Sequence, residues 1–543
     1  MDRNRQDDIE TLEAVHAAAV GGDLDRGATL ARRALADGLE HPLLYNVAAI
    51  ELEQRDGPRA AVAYLRDAVV RFATDVALRN ALGLVLLRLD DPGAALTEFD
   101  ALLAIDDALP HAYASRGMAL LWLGRLAAAD ASFRRALDLD PVQAVALSGL
   151  ADVAARRGQW ADASGHATRA LALLPNYTPA VLSLAAAELG LGQLPAAAAR
   201  LEALIGVPAV EAREHATAHG LLGDVRDAQG RISEAFSEYT ACNGILRDAY
   251  APRFAGRESA GEYAQRLFAR FQRFQAAEWP NDDLSAQQLP AARHAFVVGF
   301  PRCGTTLLEV ALDGQSGAVS PGEHEFLIDA VNEYLSNPDD LDRLVLASRA
   351  ELDHFRATYW QRVAETGVSI SGRCFIDKHP LNTLKLPLIA RLFPTARIVM
   401  MHRDPRDVVL SCFRHRFQMS SPIFELLTLD GASRFYDVMQ RLALRFEEAL
   451  PLPIRHVRYE RLVNDFEAEM RGICAFIGVD WTPAMRDFGE RTRHRATATP
   501  STAQLARGLH PGGIGTWRRY RDALEPVLPR LETWRKHFGY EPF

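Results

Sequence analysis

The sequence contains very little lysine. Its 543 residues include only Lys378, Lys385 and Lys536, so arginine supplies 58 of the 61 basic residues. Abundant alanine accompanies this preference, a combination typical of the coding bias of a GC-rich genome. Since lysine is not a casual choice of base in such a chain, a lysine inside a motif is a strong candidate for a functional residue.

Cysteine is also scarce, and its pattern excludes two kinds of site. Five cysteines lie far apart with no CxxC pair: Cys242, Cys303, Cys374, Cys412 and Cys474. An odd total at this spacing fits neither a disulfide framework nor a zinc site. We therefore expect a reducing compartment and no metal site.

Long apolar runs and an excess of positive charge are both absent. No uninterrupted apolar run approaches the ~20 residues that a membrane helix needs, and the charged start MDRNRQDDIE is unlike a signal peptide. The formal net charge is -9, opposite in sign to that of proteins that coat nucleic acid. We expect a soluble, cytoplasmic protein that binds neither membranes nor nucleic acid.

The first half of the chain is built from repeats. A turn residue recurs every 34 residues: Gly22, Asp56, Asp90, Gly124, Gly158 and Gly192. A small residue follows each turn five residues later: Gly27, Ala61, Ala95, Ala129, Ala163 and Ala197. A seventh unit follows a four-residue slip, with its turn at Gly230. Two antiparallel helices with their turns consume roughly 34 residues, and small residues let the helix backbones approach closely.

This pattern resembles the tetratricopeptide repeat, and the resemblance covers about residues 8–250. An unrelated alanine-rich helical bundle is the alternative, but six repeats in phase argue against it. The resemblance implies an α-solenoid whose concave face binds peptides or partner proteins. We interpret residues 251–290 as a connector and residues 291–543 as a second domain.

The stretch HAFVVGFPRCGTTLLEVALD, residues 294–313, predicts an anion site. Residues 295–300 are an apolar run suited to a buried parallel strand, residues 301–304 form a tight loop, and residues 305–312 have helical periodicity. A strand, a loop and a helix in this order aim backbone N–H groups and a helix N-terminus at one point. A chance strand–turn–helix is the alternative interpretation.

The loop differs from the usual phosphate loop, GxxxxGK[ST]. The pattern here runs from Gly299 to Gly304 and places Thr305 where that motif has lysine, with Arg302 inside the loop. We also find no convincing acidic residue that closes a strand in the role of a magnesium ligand. Both observations weaken the case for hydrolysis of ATP or GTP.

A second anion motif follows about a hundred residues later in the sequence. Residues 397–402, RIVMMH, predict a buried strand that runs into RDPRD and then into a helix. Ser411 lies eight residues after Arg403, about two turns into the predicted helix. An arginine at the strand end and a serine on the helix could both donate hydrogen bonds to one phosphate. Alone, this string could be surface charge; together with the first loop it indicates a phosphate site.

These motifs resemble those of the sulfotransferases that use 3'-phosphoadenosine 5'-phosphosulfate (PAPS). The resemblance covers about residues 290–540 and is strongest to the tyrosylprotein sulfotransferases and to bacterial proteins that join tetratricopeptide repeats to such a domain. It rests on five strings in family order: VVGFPRCGTTLLE, PGEHEF, FIDKHPLNTLKLP, LFPTARIVMMHRDPRDVVLSCF and VRYERLVND. It implies an α/β P-loop-like domain with a parallel central sheet and PAPS as the donor substrate.

The resemblance also implies roles for individual residues. The 5'-phosphosulfate would bind Arg302 and the loop after it: Cys303, Gly304, Thr305 and Thr306. The 3'-phosphate would bind Arg403 and Ser411. Lys378 in DKHP matches the family lysine that serves the leaving group. Further nucleotide contacts would come from Tyr459 and from the glycine-rich, basic stretch 510–522, which we call the late loop, through Trp517, Arg518 and Arg519.

A base for the incoming hydroxyl is expected in PGEHEF. Glu323 directly follows the glycine and is the first choice, with Glu325 the second. His324 occupies the family's other acid position and could itself carry a proton. A tyrosine hydroxyl, with an ordinary pKa near 10, needs such a neighbour to be a good nucleophile at neutral pH.

The sequence therefore predicts a PAPS-dependent sulfotransferase whose repeats recruit a protein or peptide acceptor. Tyrosine on a protein is the favoured acceptor, and a carbohydrate hydroxyl or a small phenol stays open. A repeat-based interaction scaffold with a weak or inactive sulfotransferase-like domain is the alternative; the intact motif residues argue against it. A nucleotide-dependent kinase is a third reading, against which the missing loop lysine argues. We also consider a homodimer.

Overall fold

Two compact units make up the protein. A computed structural model describes residues 2–208, 210–275, 279–280, 290–313, 317–337, 340–489, 505 and 508–542. One unit contains residues 2–187, and the described residues from Glu188 onward form the other. The polar end of the expected connector, residues 281–289, lies outside the described residues.

The first unit consists of helices, as the repeats predict. They are α1 (Asp2–Val20), α2 (Leu24–Ala36), α3 (Pro42–Asp56), α4 (Pro58–Arg71), α5 (Val76–Arg88), α6 (Pro92–Ile105), α7 (Pro110–Trp122), α8 (Leu126–Leu139), α9 (Ala144–Arg156) and α10 (Trp160–Leu173). The helices follow one another in pairs, and a tight turn joins the two members of each pair. The solenoid fold class of this part is confirmed.

The turns inside the pairs fall where the 34-residue period places them. The backbone there has a positive φ, which glycine adopts without strain, at Gly22, Asp90, Gly124, Gly158, Gly192 and Gly230. Aspartate also tolerates this conformation better than most residues. In the second pair the turn residue is Gly57, with φ 87°, whereas Asp56 ends α3. The sequence-based position of that one turn is therefore wrong by one residue.

Small residues let the paired helices pack closely. Ala61, Ala95, Ala129 and Ala163 of the repeated position are fully buried. A Cβ atom on Gly117 of α7 would lie 2.5 Å from the ring of Phe133 in α8, closer than packed carbon atoms approach. The periodic small residues are thus required by the helix crossings.

The second unit includes the C-terminal repeats. Helix α11 (Thr178–Gly190) spans the division between the units and is followed by α12 (Leu194–Ile205), α13 (Ala212–Ala228), α14 (Ile232–Phe254) and α15 (Ala260–Gln272). Packing thus divides the chain near residue 187, whereas the sequence periodicity ends near residue 250. The boundaries at residues 250 and 290 describe sequence organisation and stay predictions.

A five-stranded parallel sheet forms the centre of the second unit. The strands are β1 (Arg293–Gly299), β2 (Ala318–Val319), β3 (Cys374–Lys378), β4 (Arg397–His402) and β5 (Ile454–Arg458), in the order β2-β3-β1-β4-β5. β1 is buried from its second residue and apolar from its third, as suits a strand covered on both faces. Because the central β1 pairs with β3 and β4, the loops after these three strands meet at one edge.

Helices connect and cover these strands. They are α16 (Thr305–Leu312), α17 (Ile328–Tyr334), α18 (Leu341–Leu346), α19 (Arg349–Glu365), α20 (Leu386–Leu392), α21 (Pro405–Phe413), α22 (Ser421–Glu425), α23 (Leu429–Ala449), α24 (Tyr459–Asn464), α25 (Phe466–Ile477), α26 (Arg521–Leu524) and α27 (Leu528–His537). The predicted α/β class with a parallel sheet is confirmed. Across the described part of the chain, no helix combines the length and apolarity needed to cross a membrane.

Candidate functional site

The loop between β1 and α16 has a constrained backbone. Arg302 adopts φ 69°, a left-handed conformation uncommon for a residue with a Cβ atom. Thr383 fixes the start of the loop, because its hydroxyl donates to the Gly299 carbonyl over 2.9 Å and accepts from the Gly299 amide over 3.1 Å. The loop geometry is thus held from outside the loop, as is common where strain serves a site.

Gly304 lets the loop lie against an aromatic ring. It precedes α16 with φ 105°, and a Cβ atom there would lie 2.6 Å from Cδ2 of Tyr459. Tyr459 begins α24 directly after β5. The structure thus places this predicted nucleotide contact beside the loop, and any larger residue at position 304 would push the two apart.

The two predicted anion motifs are in direct contact. Arg302 Nε donates to Ser411 Oγ over 3.1 Å, and Arg403 Nη1 donates to the Arg302 carbonyl over 2.9 Å. Arg403 directly follows β4, and Ser411 lies in α21. Residues about a hundred positions apart in the sequence therefore form one cluster at the carboxyl edge of the sheet.

This cluster carries concentrated positive charge. Burial, together with the neighbouring Arg403 guanidinium, lowers the pKa of Arg302 to about 10, so Arg302 is a cation at neutral pH. Arg403 is buried, and its Nε atom has no hydrogen-bond partner among the described residues. The N-terminus of α16 adds further positive potential. An anion is the ligand that this arrangement favours.

The late loop closes on the same cluster. Arg403 Nη2 donates to the carbonyl of Gly513, and a Cβ atom on Gly513 would lie 3.2 Å from the hydroxyl of Tyr459. Asp407 of α21 accepts hydrogen bonds from the backbone amides of Gly515, over 2.7 Å, and Trp517, over 2.8 Å. Burial raises the pKa of Asp407 to about 6, so it is largely a carboxylate at neutral pH. The loop is therefore anchored to α21.

Trp517, Arg518 and Arg519 have protein partners. Trp517 is 2% exposed, and its ring lies 3.8 Å from the guanidinium of Arg406. Arg518 pairs with Glu541 over 3.5 Å, and Arg519 donates to Asp227 over 2.6 Å. These contacts anchor the late loop, and nucleotide contacts from the three side chains stay predictions.

Lys378 lies between two carboxylates. It ends β3, is fully buried, and its Nζ atom contacts Glu309 Oε2 over 3.0 Å and also Glu323 Oε1. Burial by itself would lower the pKa of Lys378, but the charges of Glu309 and Glu323 outweigh it and raise the pKa. Lys378 is therefore a buried cation at neutral pH, as its predicted role requires.

The sequence did not single out Glu309. This residue lies in α16, is fully buried, accepts from Ser320 Oγ over 3.0 Å and forms an ion pair with Lys378. A buried carboxylate is rare unless it is paired. The available signal was one acidic residue in the otherwise uncharged helix TTLLEVAL.

The three candidates for the base have different surroundings. Glu323 contacts Lys378 and is 36% exposed, so it borders both the buried cation and solvent. Glu325 pairs instead with His379, over 3.1 Å, and with Lys385. Burial would raise the pKa of Glu325, but His379 and Lys385 lower it overall. The His324 ring stacks on Phe326. The structure places only Glu323 of the three in contact with Lys378.

A buried polar chain supports β3 beside Lys378. Asp377 accepts from the Tyr359 hydroxyl over 2.9 Å and from Asn382 Nδ2 over 3.1 Å, and His294 lies 2.9 Å from the same hydroxyl. Burial raises the pKa of Asp377 to about 7. The sequence motifs did not indicate this acid near a strand end. Both of its carboxylate oxygens accept hydrogen bonds from protein donors. Within the described ranges, no group of three or more His, Cys, Asp or Glu residues is placed to hold a metal ion.

The thiol of Cys303 in the loop is not poised for chemistry. The residue is 1% exposed, and burial raises the pKa of its thiol to about 12. A thiol with this pKa is protonated at neutral pH and is a poor nucleophile. Any contribution of Cys303 to donor binding must therefore come from its backbone and its packing.

Two parts of the chain match known protein families. Residues 295–483 match the sulfotransferase family, and residues 47–112, 114–178 and 182–241 match the tetratricopeptide repeat. The chain joins tetratricopeptide repeats to a sulfotransferase domain. The matched part of the sulfotransferase domain contains both anion motifs and Lys378, whereas the late loop lies beyond it.

Individual relatives are distant. An uncharacterized protein of Aquifex aeolicus (strain VF5) is 24% identical over 346 residues, which are 61% of this chain and 43% of that protein. Protein-tyrosine sulfotransferase 2 of Gallus gallus is 26% identical over 272 residues, 46% of this chain and 69% of that protein. The solved sulfotransferase domain of the Synechococcus PCC 7002 olefin synthase is 24% identical, with a TM-score of 0.34, and the match covers 49% of this chain and 99% of that one.

Proposed function

We propose that the protein transfers the sulfuryl group of PAPS to an acceptor hydroxyl, with protein tyrosine as the acceptor. The observation that carries this proposal is the Arg302–Ser411–Arg403 cluster, which joins the anion motifs after β1 and β4. Its place within a sulfotransferase domain supports a sulfated nucleotide as the ligand. The name of the chicken relative supports tyrosine.

The residues of the cluster suit a donor with two separate anionic groups. Arg302 and the amides of Gly304, Thr305 and Thr306 would hold the 5'-phosphosulfate. Arg403, whose buried Nε has no partner among the described residues, would hold the 3'-phosphate with Ser411, a charge-assisted contact. Tyr459 would line the nucleotide. When bound, PAPS supplies the sulfuryl group.

Lys378 and Glu323 would provide the remaining chemistry. Sulfuryl transfer needs positive charge at the departing phosphate and a base for the incoming hydroxyl. Lys378 would supply the charge, since Glu309 and Glu323 keep it protonated inside the protein. We prefer Glu323 as the base because it lies beside Lys378, the residue that would serve the leaving group. Glu325 instead pairs with Lys385 and His379.

The donor preference gives the first test of this proposal. Adenosine 3',5'-bisphosphate should bind about 100-fold more tightly than ATP with Mg²⁺. A factor of this size corresponds to one charge-assisted hydrogen bond to a buried group, which the 3'-phosphate would make and ATP lacks. Thr305 replaces the lysine that would hold ATP phosphates, and both oxygens of Asp377 are engaged. Isothermal titration calorimetry measures both affinities on the full chain.

Equal or tighter binding of ATP with Mg²⁺ would contradict the proposal and favour a kinase. Radiolabelled PAPS incubated with the protein and a cell lysate then separates the remaining alternatives. Label transferred to protein supports the enzyme. Tight bisphosphate binding without transfer to any acceptor supports the interaction scaffold. The homodimer stays a prediction.

The repeats would supply the binding site for a protein acceptor. A polar cleft of about 260 Å³ lies among α8, α9 and α10 and is lined by Asp130, Arg134, Arg157, Asp162 and His166, with four apolar or neutral residues. Arg157 Nε and His166 Nδ1 are buried there without hydrogen-bond partners in the described structure. Binding energy from parts of an acceptor that do not react is what a recruiting array contributes.

Loss of one donor in this cleft should weaken acceptor recruitment. We expect Arg157→Gln to raise the KM for the protein acceptor about tenfold, the value of one hydrogen bond to a charged group. The rate with a small phenol should not change, because such an acceptor lacks the polypeptide that the cleft would bind. Steady-state kinetics with both acceptors provide the measurement.

Arg66 offers a matched control, because it is an exposed arginine on another repeat helix, α4. Arg66→Gln should leave both KM values unchanged. If Arg157→Gln behaves like Arg66→Gln with the protein acceptor, this cleft does not bind it.

A further inference from the structure

One carboxylate of the last repeat pair contacts two segments of the sulfotransferase domain. Asp227, near the end of α13, accepts from Arg414 Nη2 over 2.8 Å, from Arg519 Nη2 over 2.6 Å and from the Tyr520 hydroxyl over 2.7 Å. Its side chain is 15% exposed. One repeat side chain therefore receives three donors from two separate segments of the other domain.

Both segments border the proposed nucleotide site. Arg414 directly follows α21, the helix that carries Ser411, which bonds Arg302. Arg519 and Tyr520 end the short 3-10 helix Thr516–Tyr520 of the late loop, whose Gly513 carbonyl accepts from Arg403. Asp407 holds the beginning of that short helix, and Asp227 holds its end.

A second contact fixes the same end of α21. Asn243 of α14 is 4% exposed, and its Nδ2 atom donates to the carbonyl of Phe413 over 2.8 Å. The rings of Phe236 and Phe413 stack with centroids 5.3 Å apart. The position of α21 is thus set partly by α14, independently of Asp227.

The charge of Asp227 is suited to this task. Burial would raise the pKa of Asp227, but Arg414, Tyr520 and Arg519 lower it overall. The group is therefore an anion at neutral pH, placed among three donors. Removing its charge leaves Arg414 with the Tyr239 hydroxyl, over 3.1 Å, as a weaker partner.

We propose that Asp227 is a positioning residue for the nucleotide site, holding α21 and the late loop in register on either side of Arg403. The last repeat pair is then a structural part of the donor site as well as the end of the repeat array. This inference rests on the proposed function for the identity of the nucleotide. The coupling of the two segments rests on the contacts alone.

The test compares two aspartates of the same helix. Asp227→Asn should weaken binding of adenosine 3',5'-bisphosphate about tenfold, since small displacements of binding groups have effects of this size or larger. The KM for PAPS should rise by more than kcat falls. Asp224→Asn is the matched control: Asp224 accepts from Tyr239, over 2.9 Å, and from Arg416, over 3.0 Å, so it reaches Arg414 only indirectly, through the Tyr239 hydroxyl. It should change the affinity by less than about twofold.

Amide hydrogen exchange of residues 515–520, without nucleotide, provides a readout that does not depend on the proposed function. It should become about tenfold faster in Asp227→Asn and stay unchanged in Asp224→Asn, as loosening of one local segment predicts. Asp227→Glu, which keeps the charge, should restore most of the affinity. If Asp227→Asn does not fold, Tyr520→Phe removes a single donor to Asp227. It should weaken bisphosphate binding and speed the exchange of residues 515–520 about threefold each.

Equal exchange and equal affinity losses in the two asparagine variants would overturn the positioning role and leave only a structural one. If the wild-type protein does not bind the bisphosphate, the proposed function fails. In that case a selective effect of Asp227→Asn on exchange still supports the link between α21 and the late loop.

Discussion

Replacing Lys378 with methionine should lower kcat about 10²–10³-fold, the range for loss of one preorganised charge donor at a reacting centre. Affinity for adenosine 3',5'-bisphosphate should change little, because Lys378 contacts Glu309 and Glu323, whereas Arg302 and Arg403 belong to the anion cluster. Stability should also fall, by about 3–5 kcal/mol, since Glu309 is left as a buried carboxylate without its cation. Single-turnover kinetics, calorimetry and thermal denaturation measure the three quantities.

A double variant separates catalysis from stability in this experiment. Lys378→Met with Glu309→Gln removes the stranded charge and keeps the volume of both side chains. It should be more stable than Lys378→Met alone and equally inactive. Recovery of activity along with stability would show that Lys378 acts only by supporting the fold.

Replacing Arg403 with alanine should weaken nucleotide binding by about 1.5–3 kcal/mol, the value of hydrogen bonds to a charged group. The loss should exceed that of a simple surface arginine, because Arg403 also donates to the carbonyls of Arg302 and Gly513 and lies 4.9 Å from the Tyr459 ring centroid. The late loop therefore loses its hydrogen bond to the second anion motif, and with it the link through Arg403 to the Arg302 carbonyl. The effect on kcat at saturating donor should be much smaller than in Lys378→Met.

Arg403→Lys is the conservative control. Lysine keeps the charge but not the planar fork that serves two acceptors at once, so binding should recover only in part. A kcat loss in Arg403→Ala as large as that of Lys378→Met, with unchanged nucleotide affinity, would contradict our division of roles between the two residues.

Local patterns in the sequence predicted the main elements well. The helix of residues 305–312 and the strand of residues 397–402 have the expected bounds, because each is an apolar run closed by a glycine or by charged residues. The repeat turns followed from strict periodicity. Asp56 was misplaced as a turn residue because the next position, Gly57, adopts a positive φ more readily.

The missing parts of the site are those that depend on distant contacts. Glu309 was hidden in a helix, and its importance appears only when Lys378, 69 positions later, lies beside it. Asp227 belongs to a repeat with no chemical motif, and its donors are 187 to 293 positions away. Neither spacing nor composition reports such pairs. The choice among Glu323, His324 and Glu325 was open for the same reason.

The contacts of Asp227 and Arg403 have a consequence for synthesis of the chain on the ribosome. Helix pairs in a repeat array contact their sequence neighbours, so they can fold as soon as they emerge. The proposed donor site would include Gly513 and Tyr520 as well as Asp227, which is bonded to residues 292 and 293 positions later. The array therefore stands folded while the site is still incomplete. A ribosome-bound chain truncated before the late loop would display repeats that can bind partners but lack a finished nucleotide pocket.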